Sequence, residues 1–394
     1  MNEFLLARPD AVVRASGVRE VFSDPRRAVE ALRGWLSSPP SAQGREVARG
    51  SAAGDPAGDS SESSSAPPRL IVGALPFDPR EPAALWRPET SLHTAGPWRP
   101  AALPDLPDVR VIAEIPSAAE HVAKVTKLVE QLGDPANELR KVVAARSMVL
   151  EADAPLHPEV LAAHLLTRHP NAAVYSVDLF AAGRAETLIG ATPEVLVARH
   201  GDRVSLHPLA GTLPRLSDPT DDAQQAGELL SSTKNHEEHA FVIDWIRQQL
   251  SPVCAELHIP DAPEILSTEQ VWHLATPIHG VLRDPSTTAL DLALLLHPTP
   301  AVNGTPYTAA LDTITADEPW RGFYGGAVGW CDDTGDGEWV VAIRGGELSA
   351  DRRTLRASAG GGIVAASDPL AELAETTAKL RTLLSALRCA LPND

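Results

Sequence analysis

Lysine is nearly missing from this chain. Of 34 basic residues only five are lysines, Lys124, Lys127, Lys141, Lys234 and Lys379. A chain that uses Arg almost everywhere keeps Lys where Arg will not serve, since Arg never deprotonates in a protein whereas a buried Lys can act as a base. Cysteine is scarcer still. Cys254, Cys331 and Cys389 are scattered without metal-ligand spacing, so they read as reduced and structural. No apolar run reaches membrane-spanning length and no basic-then-apolar signal opens the chain, so a cytoplasmic protein is expected. Positive charge is in deficit, with 52 acids against 34 bases and a net charge of −18. That argues against a nucleic-acid surface and against binding to anionic membranes. An anionic substrate would then need a local cluster of positive charge or a metal. There is also no internal repeat, no GxGxxG and no Walker-type loop, so nucleotide binding has no support.

What is present is a large chain of mixed periodicity. At 394 residues it can bury a sizeable core. Residues 25–36 have amphipathic helix character. Residues 37–69 are low-complexity, rich in Ser, Gly, Pro and Ala, and read as a disordered insertion. The globular pattern resumes with LIVGALPFD (70–78), passes a Pro-rich stretch at 79–109, and continues with a helix near 119–132. Strand-like runs then occupy 141–150, 172–179, 186–192, 194–200 and 203–211, followed by a helical block at 221–250 and strands at 322–330 and 337–344. Hairpin-joined strands interleaved with long helices predict an α+β fold of large antiparallel sheets with helical layers.

The C-terminal stretch 342–384 organises the rest. It reads as a strand, a polar turn, a second strand at 354–359, the run Gly360-Gly361-Gly362, and a helix started by Asp368-Pro369. On that helix Glu372, Glu375 and Lys379 share one face, beside a stripe of Leu373, Leu380, Leu384 and Leu387. Acids aimed into a cleft are one reading of that face, and a solvated Glu/Lys face is the other. Further stretches share a polar or Gly/Pro core flanked by regular structure: KVVAAR (141–146), GATPE (190–194), LAGT (209–212), KNHEEH (234–239), HPTPAVNGTP (297–306), RGFYGGAVGW (321–330) and GDGEWVVAIR (335–344).

In that order these motifs resemble the chorismate-utilising enzymes, and within them the isochorismate synthases. The resemblance runs from GALPFD (73–78) to LRTLL (380–384) and adds nothing to the first 69 residues. It implies one catalytic domain over 1–394, with core motifs at 117–386 and the site in a cleft between two sheet-and-helix subdomains. It implies Mg²⁺-dependent conversion of chorismate to isochorismate, feeding siderophore, menaquinone or related biosynthesis, by an enzyme expected to be monomeric. Carried over residue by residue, Lys141 matches the general base and Glu194 the general acid. Glu238 and Glu372 match Mg²⁺ ligands, with Glu375 in support. Tyr324, Arg344, Lys379 and the amides of Gly360, Gly361 and Gly362 match carboxylate-gripping positions. Gly211, Thr212 and His273 match pocket-lining positions. Asn235 stands one turn before Glu238, where relatives usually carry an acid. A salicylate synthase, which goes on to eliminate pyruvate, and an inactive binding relative are the competing readings.

Overall fold

The computed structural model describes residues 2–37, 69–100 and 103–391. Among these, the strands form a ten-stranded, a nine-stranded and a three-stranded sheet, with antiparallel pairings throughout the site region. Strand alternation explains the layering. In Glu3–Ala7, Phe4 and Leu6 point one way and Leu5 and Ala7 the other. The first pair packs with Val72, Trp86, Tyr175, Val328 and Val340 in a core between the two large sheets. The second pair packs on the outer face of the ten-stranded sheet, in a core shared with Leu380, Leu383 and Leu384 of the helix Pro369–Ala386. The outer face of the nine-stranded sheet presents Trp339 and Val341 to the helices Pro25–Leu36, Thr233–Leu250 and Ala289–Leu296. The fold is therefore α+β, two large sheets face to face with helices outside.

Local chemistry sets the helix ends. Pro25–Leu36 follows Asp24, whose carboxylate accepts from Arg26 N, and has Pro at its start. Ala118–Gly133 starts in a reciprocal capping box between Ser117 and Glu120. Asp368 caps Pro369–Ala386 by accepting from Leu370 N and Ala371 N.

Several sequence expectations are corrected. The run 203–211 is two strands, Arg203–Leu206 in the nine-stranded sheet and Leu209–Pro214 in the three-stranded one. The break falls at His207-Pro208, where Pro cannot donate to a ladder and restricts the residue before it. The block 221–250 is two helices, Pro219–Ser231 and Thr233–Leu250, separated by an extended Ser232 that caps the second. The N-terminal region contributes three strands besides its helix, and the Pro-rich stretch holds the strands Ala84–Arg87 and Thr90–Ala95. The strand expected at 322–330 is Ala327–Asp332, which leaves Tyr324 in a turn. Gly360–Gly362 is no loop: it lies inside the strand Thr354–Ile363, paired with Ala145, Ala144 and Val143. An additional strand, Gly345–Leu348, fills part of the expected polar turn. The low-complexity stretch expected at 37–69 lies, apart from its two end residues, outside the described residues.

Candidate active site

The site is built around the paired strands Lys141–Ala152 and Thr354–Ile363, with the helices Thr233–Leu250 and Pro369–Ala386 and the three-stranded sheet against them. A pocket opens there. Of the expected residues, Glu194, Thr212, Glu238, His273, Tyr324, Arg344, Gly360, Gly362 and Lys379 line it. Lys141, Gly211, Gly361, Glu372 and Glu375 stand behind that lining. The remaining wall is apolar and includes Val143, Leu209, Ala301, Val302 and Ile343; Ala301 and Val302 come from the HPTPAVNGTP stretch.

Lys141 is fully buried, with its Nζ 3.4 Å from Glu238 Oε1 and no closer polar partner among the described residues. Burial disfavours its charged form, Glu238 opposes this, and the ammoniums of Lys234 and Lys379 add to it. The net effect lowers the pKa of Lys141 from the usual lysine range. Glu194 is 4% exposed, and burial pushes its carboxyl up to about 7 even though Leu209 N, Arg344, Lys379 and Lys141 favour the anion. Burial alone would raise the pKa of Glu238, but Lys141, Lys234 and Lys379 outweigh it and hold the group ionised. Burial and the neighbouring Glu375 push Glu372 upward against Lys234.

Arg344 sits at φ 56°, a left-handed conformation uncommon for a non-glycine residue. This breaks the chain between the strands Gly337–Val341 and Gly345–Leu348 and turns the guanidinium into the pocket. Its Nη2 donates to His273 Nε2 at 2.8 Å, and Thr212 Oγ1 lies 2.9 Å from His273 Nδ1. Burial, with Arg344 and Lys379 nearby, holds His273 neutral. Because Nε2 must accept from Arg344, the ring proton resides on Nδ1 and is donated to Thr212. The Thr212 hydroxyl is thereby left to donate onward. Gly211 adopts φ 78° at a bulge within Leu209–Pro214, so LAGT bends inside a strand rather than ending one.

The glycine triplet has a steric reason. A Cβ on Gly362 would run into Glu238 Oε1 and come within 2.7 Å of Lys141 Cε; one on Gly361 would meet Glu372 Oε2 at 2.7 Å. Two carboxylates, Glu238 and Glu372, occupy the space that side chains on Gly362 and Gly361 would take. Lys379 Nζ holds the strand by donating to Gly360 O at 2.9 Å and pairs with Glu375 Oε1 at 2.5 Å.

As a seat for a divalent cation the donor set fits: it is all oxygen, with no His or Cys, and Glu372 Oε2 and Asn235 Oδ1 are buried without hydrogen-bond partners among the described residues. No ready cage of three or more His, Cys, Asp or Glu exists among the described residues. A cation that keeps waters and shares its shell with substrate needs none.

Two features escaped the sequence reading. Lys234 bridges the carboxylates, 3.0 Å from Glu372 Oε1 and 3.3 Å from Glu238 Oε2; its membership of a five-lysine set was the available signal. Behind the site, buried Glu318 accepts from Ala145 N at 2.8 Å and pairs with Arg321. Arg321 in turn donates to Val143 O and Val302 O at 3.0 and 2.7 Å, clamping the Lys141 strand to the pocket wall.

Residues 89–388 match the model of the family described as chorismate binding enzyme. The chain belongs to the chorismate-binding enzymes. Among its relatives, a Mycobacterium tuberculosis (strain H37Rv) protein provisionally named isochorismate synthase MenF is 46% identical over 392 residues, covering 98% of this chain and 95% of the relative. Isochorismate synthase DhbC of Bacillus subtilis (strain 168) is 39% identical over 393 residues, covering 98% and 93%. Among solved structures, a Bacillus anthracis protein provisionally named a 2,3-dihydroxybenzoate-specific isochorismate synthase, DhbC, superposes with a TM-score of 0.83 at 34% identity, covering 98% of this chain and 95% of that one. Chorismate-binding enzymes can thus be compared with this chain over nearly its whole length.

Proposed function

We propose that this chain is an isochorismate synthase that adds water at carbon 2 of chorismate while the hydroxyl at carbon 4 departs. The observation that carries this reading is the pair of opposed protonation states: a fully buried lysine driven toward its neutral form and a buried glutamate driven toward its acid form. Such a divergence is what a base and an acid working at neutral pH require. Lys141 Nζ accepts a proton from the attacking water, and the new carbon–oxygen bond forms at carbon 2 as the diene shifts. The Glu194 carboxyl gives its proton to the oxygen at carbon 4, which leaves as water. Proton exchange with solvent then returns both groups to their starting states.

Arg344, Lys379, Tyr324 and the Gly360–Gly362 backbone hold the substrate's carboxylates, while Gly211, Thr212 and His273 line its seat. Arg344 remains a cation despite a pKa lowered to about 10 by burial, and Tyr324, pushed up to about 12 by burial, remains a donor. Glu238 and Glu372, with Glu375 in support, would hold Mg²⁺. The ion would neutralise the ring carboxylate and draw electron density through the diene. The reading includes one catalytic unit over 1–394 acting as a monomer in the cytoplasm, where three free, buried cysteines are at home.

The test is to follow pure chorismate with Mg²⁺ near neutral pH by NMR or chromatography. A mixture of chorismate and isochorismate is expected, since the two isomers have similar bonding. Salicylate with stoichiometric pyruvate would overturn the reading in favour of a lyase, and no conversion would make the chain a binding relative. EDTA should abolish turnover and added Mg²⁺ restore it.

A further inference from the structure

We propose that Lys234 is the built-in cation of the carboxylate cluster, and that a hard divalent ion enters only by displacing its ammonium from Glu238 and Glu372. The inference rests on the divalent-metal reading of the same carboxylates.

Helix physics does not explain this lysine. It sits in the first turn of Thr233–Leu250, next to the positive end of the helix dipole, where cations are disfavoured. Its i,i+4 pairing with Glu238 also runs in the weaker direction, with the base N-terminal to the acid. What holds it is the pair of carboxylate oxygens at 3.0 and 3.3 Å, contributed by two helices distant in sequence.

Three ammoniums surround the cluster, and only Lys234 is placed to leave. Lys141 is fully enclosed, and Lys379 is tied to the backbone oxygen of Gly360. Lys234 has a 20% exposed side chain against 7% and 3% for its two acidic partners, so its flexible stem has a route to solvent. The ammonium also leaves donors unused: Glu372 Oε2 and Asn235 Oδ1 are buried and unpartnered among the described residues. A small divalent ion with its waters could use both. In the metal-free protein Lys234 offsets the repulsion among Glu238, Glu372 and Glu375. Metal binding must therefore separate an existing ion pair, which weakens it.

Two measurements on the full chain test this. The first is Mn²⁺ binding read by electron paramagnetic resonance. Lys234→Met is expected to bind Mn²⁺ about tenfold more tightly than the unaltered protein, and Lys234→Arg no more tightly. Equal or weaker binding by Lys234→Met would overturn the proposal. The second uses the unaltered protein and so does not depend on a variant folding: reductive methylation of lysine amines, resolved by peptide mass spectrometry. Lys234 should react several-fold faster with saturating Mg²⁺ than without it, while Lys124 and Lys127 react equally in both. An unchanged Lys234 rate in protein that binds Mn²⁺ would sink displacement and leave the metal site standing. Failure of the protein to bind Mn²⁺ at all, with full activity in EDTA, would remove the metal reading and this inference with it.

Discussion

Lys141 and Glu194 are ordinary residue types made unusual by enclosure. Neither has a strong local partner: Lys141 lies 3.4 Å from Glu238, and Glu194 has one long backbone contact, 3.5 Å from Leu209 N. Lys141→Arg places a permanent cation in the same enclosed position and removes the group able to accept a proton. It should lower kcat by about two to four orders of magnitude. Glu194→Gln should lose a comparable factor. The pH profile follows from the same groups: the rate falls above about pH 7 as Glu194 ionises, while burial, which lowers the pKa of Lys141 from the usual lysine range, favours the neutral amine that must accept the proton. Stability has a matching signature. Glu194 binds its proton more tightly folded than unfolded, so its contribution is fully present below about 4.5 and is lost as pH rises toward about 7. Thermal melts of Glu194→Gln should lack that decline, so its melting temperature relative to the unaltered protein should rise over this window. A constant difference across the window would contradict the burial argument.

At the scale of elements, the strand Thr354–Ile363 gives up its side chains at the site so that acidic groups from two helices can reach its surface. Gly362→Ala would push a methyl group into Glu238 and Lys141. Both are the ends of side chains and can move, so the fold should survive while kcat falls by about a hundredfold or more from misplaced groups. Gly34→Ala, in an exposed helical position with nothing within 4 Å, is the control and should stabilise by about 0.5 kcal/mol in urea titration. The Glu318–Arg321 pair tests the clamp behind the Lys141 strand. Glu318→Gln leaves Arg321 buried without its countercharge and should cost about 3–5 kcal/mol of unfolding free energy. Loss of less than about 1 kcal/mol would show that the clamp is not what holds the strand.

Across the whole molecule, a chain of net charge −18 forms a pocket lined with Arg344 and Lys379 and backed by Lys141 and Lys234. These four cations stand beside four carboxylates, Glu194, Glu238, Glu372 and Glu375, so the positive charge that the composition asks for is largely matched by acids there. Much of this was legible from the chain alone. Helix ends at Pro25, Ala118 and Pro369 follow from caps and prolines within a few residues of each other, and local chemistry suffices to set them. The ordered motifs supply most of the candidate residues that line one pocket, because residue type and spacing survive in one dimension. Strands were less legible. Those at Ala84–Arg87 and Thr90–Ala95 lie in Pro-rich sequence and pair with Glu20–Phe22 and Ala11–Ser16, far back along the chain. Gly360–Gly362 read as a run beyond the strand at 354–359 because glycines have no local strand propensity; the ladder to Val143–Ala145 makes it part of that strand. The protonation states, the His273 tautomer and the role of Lys234 also came only with the tertiary structure. Each depends on desolvation or on charges brought from distant segments, and no stretch of sequence contains either.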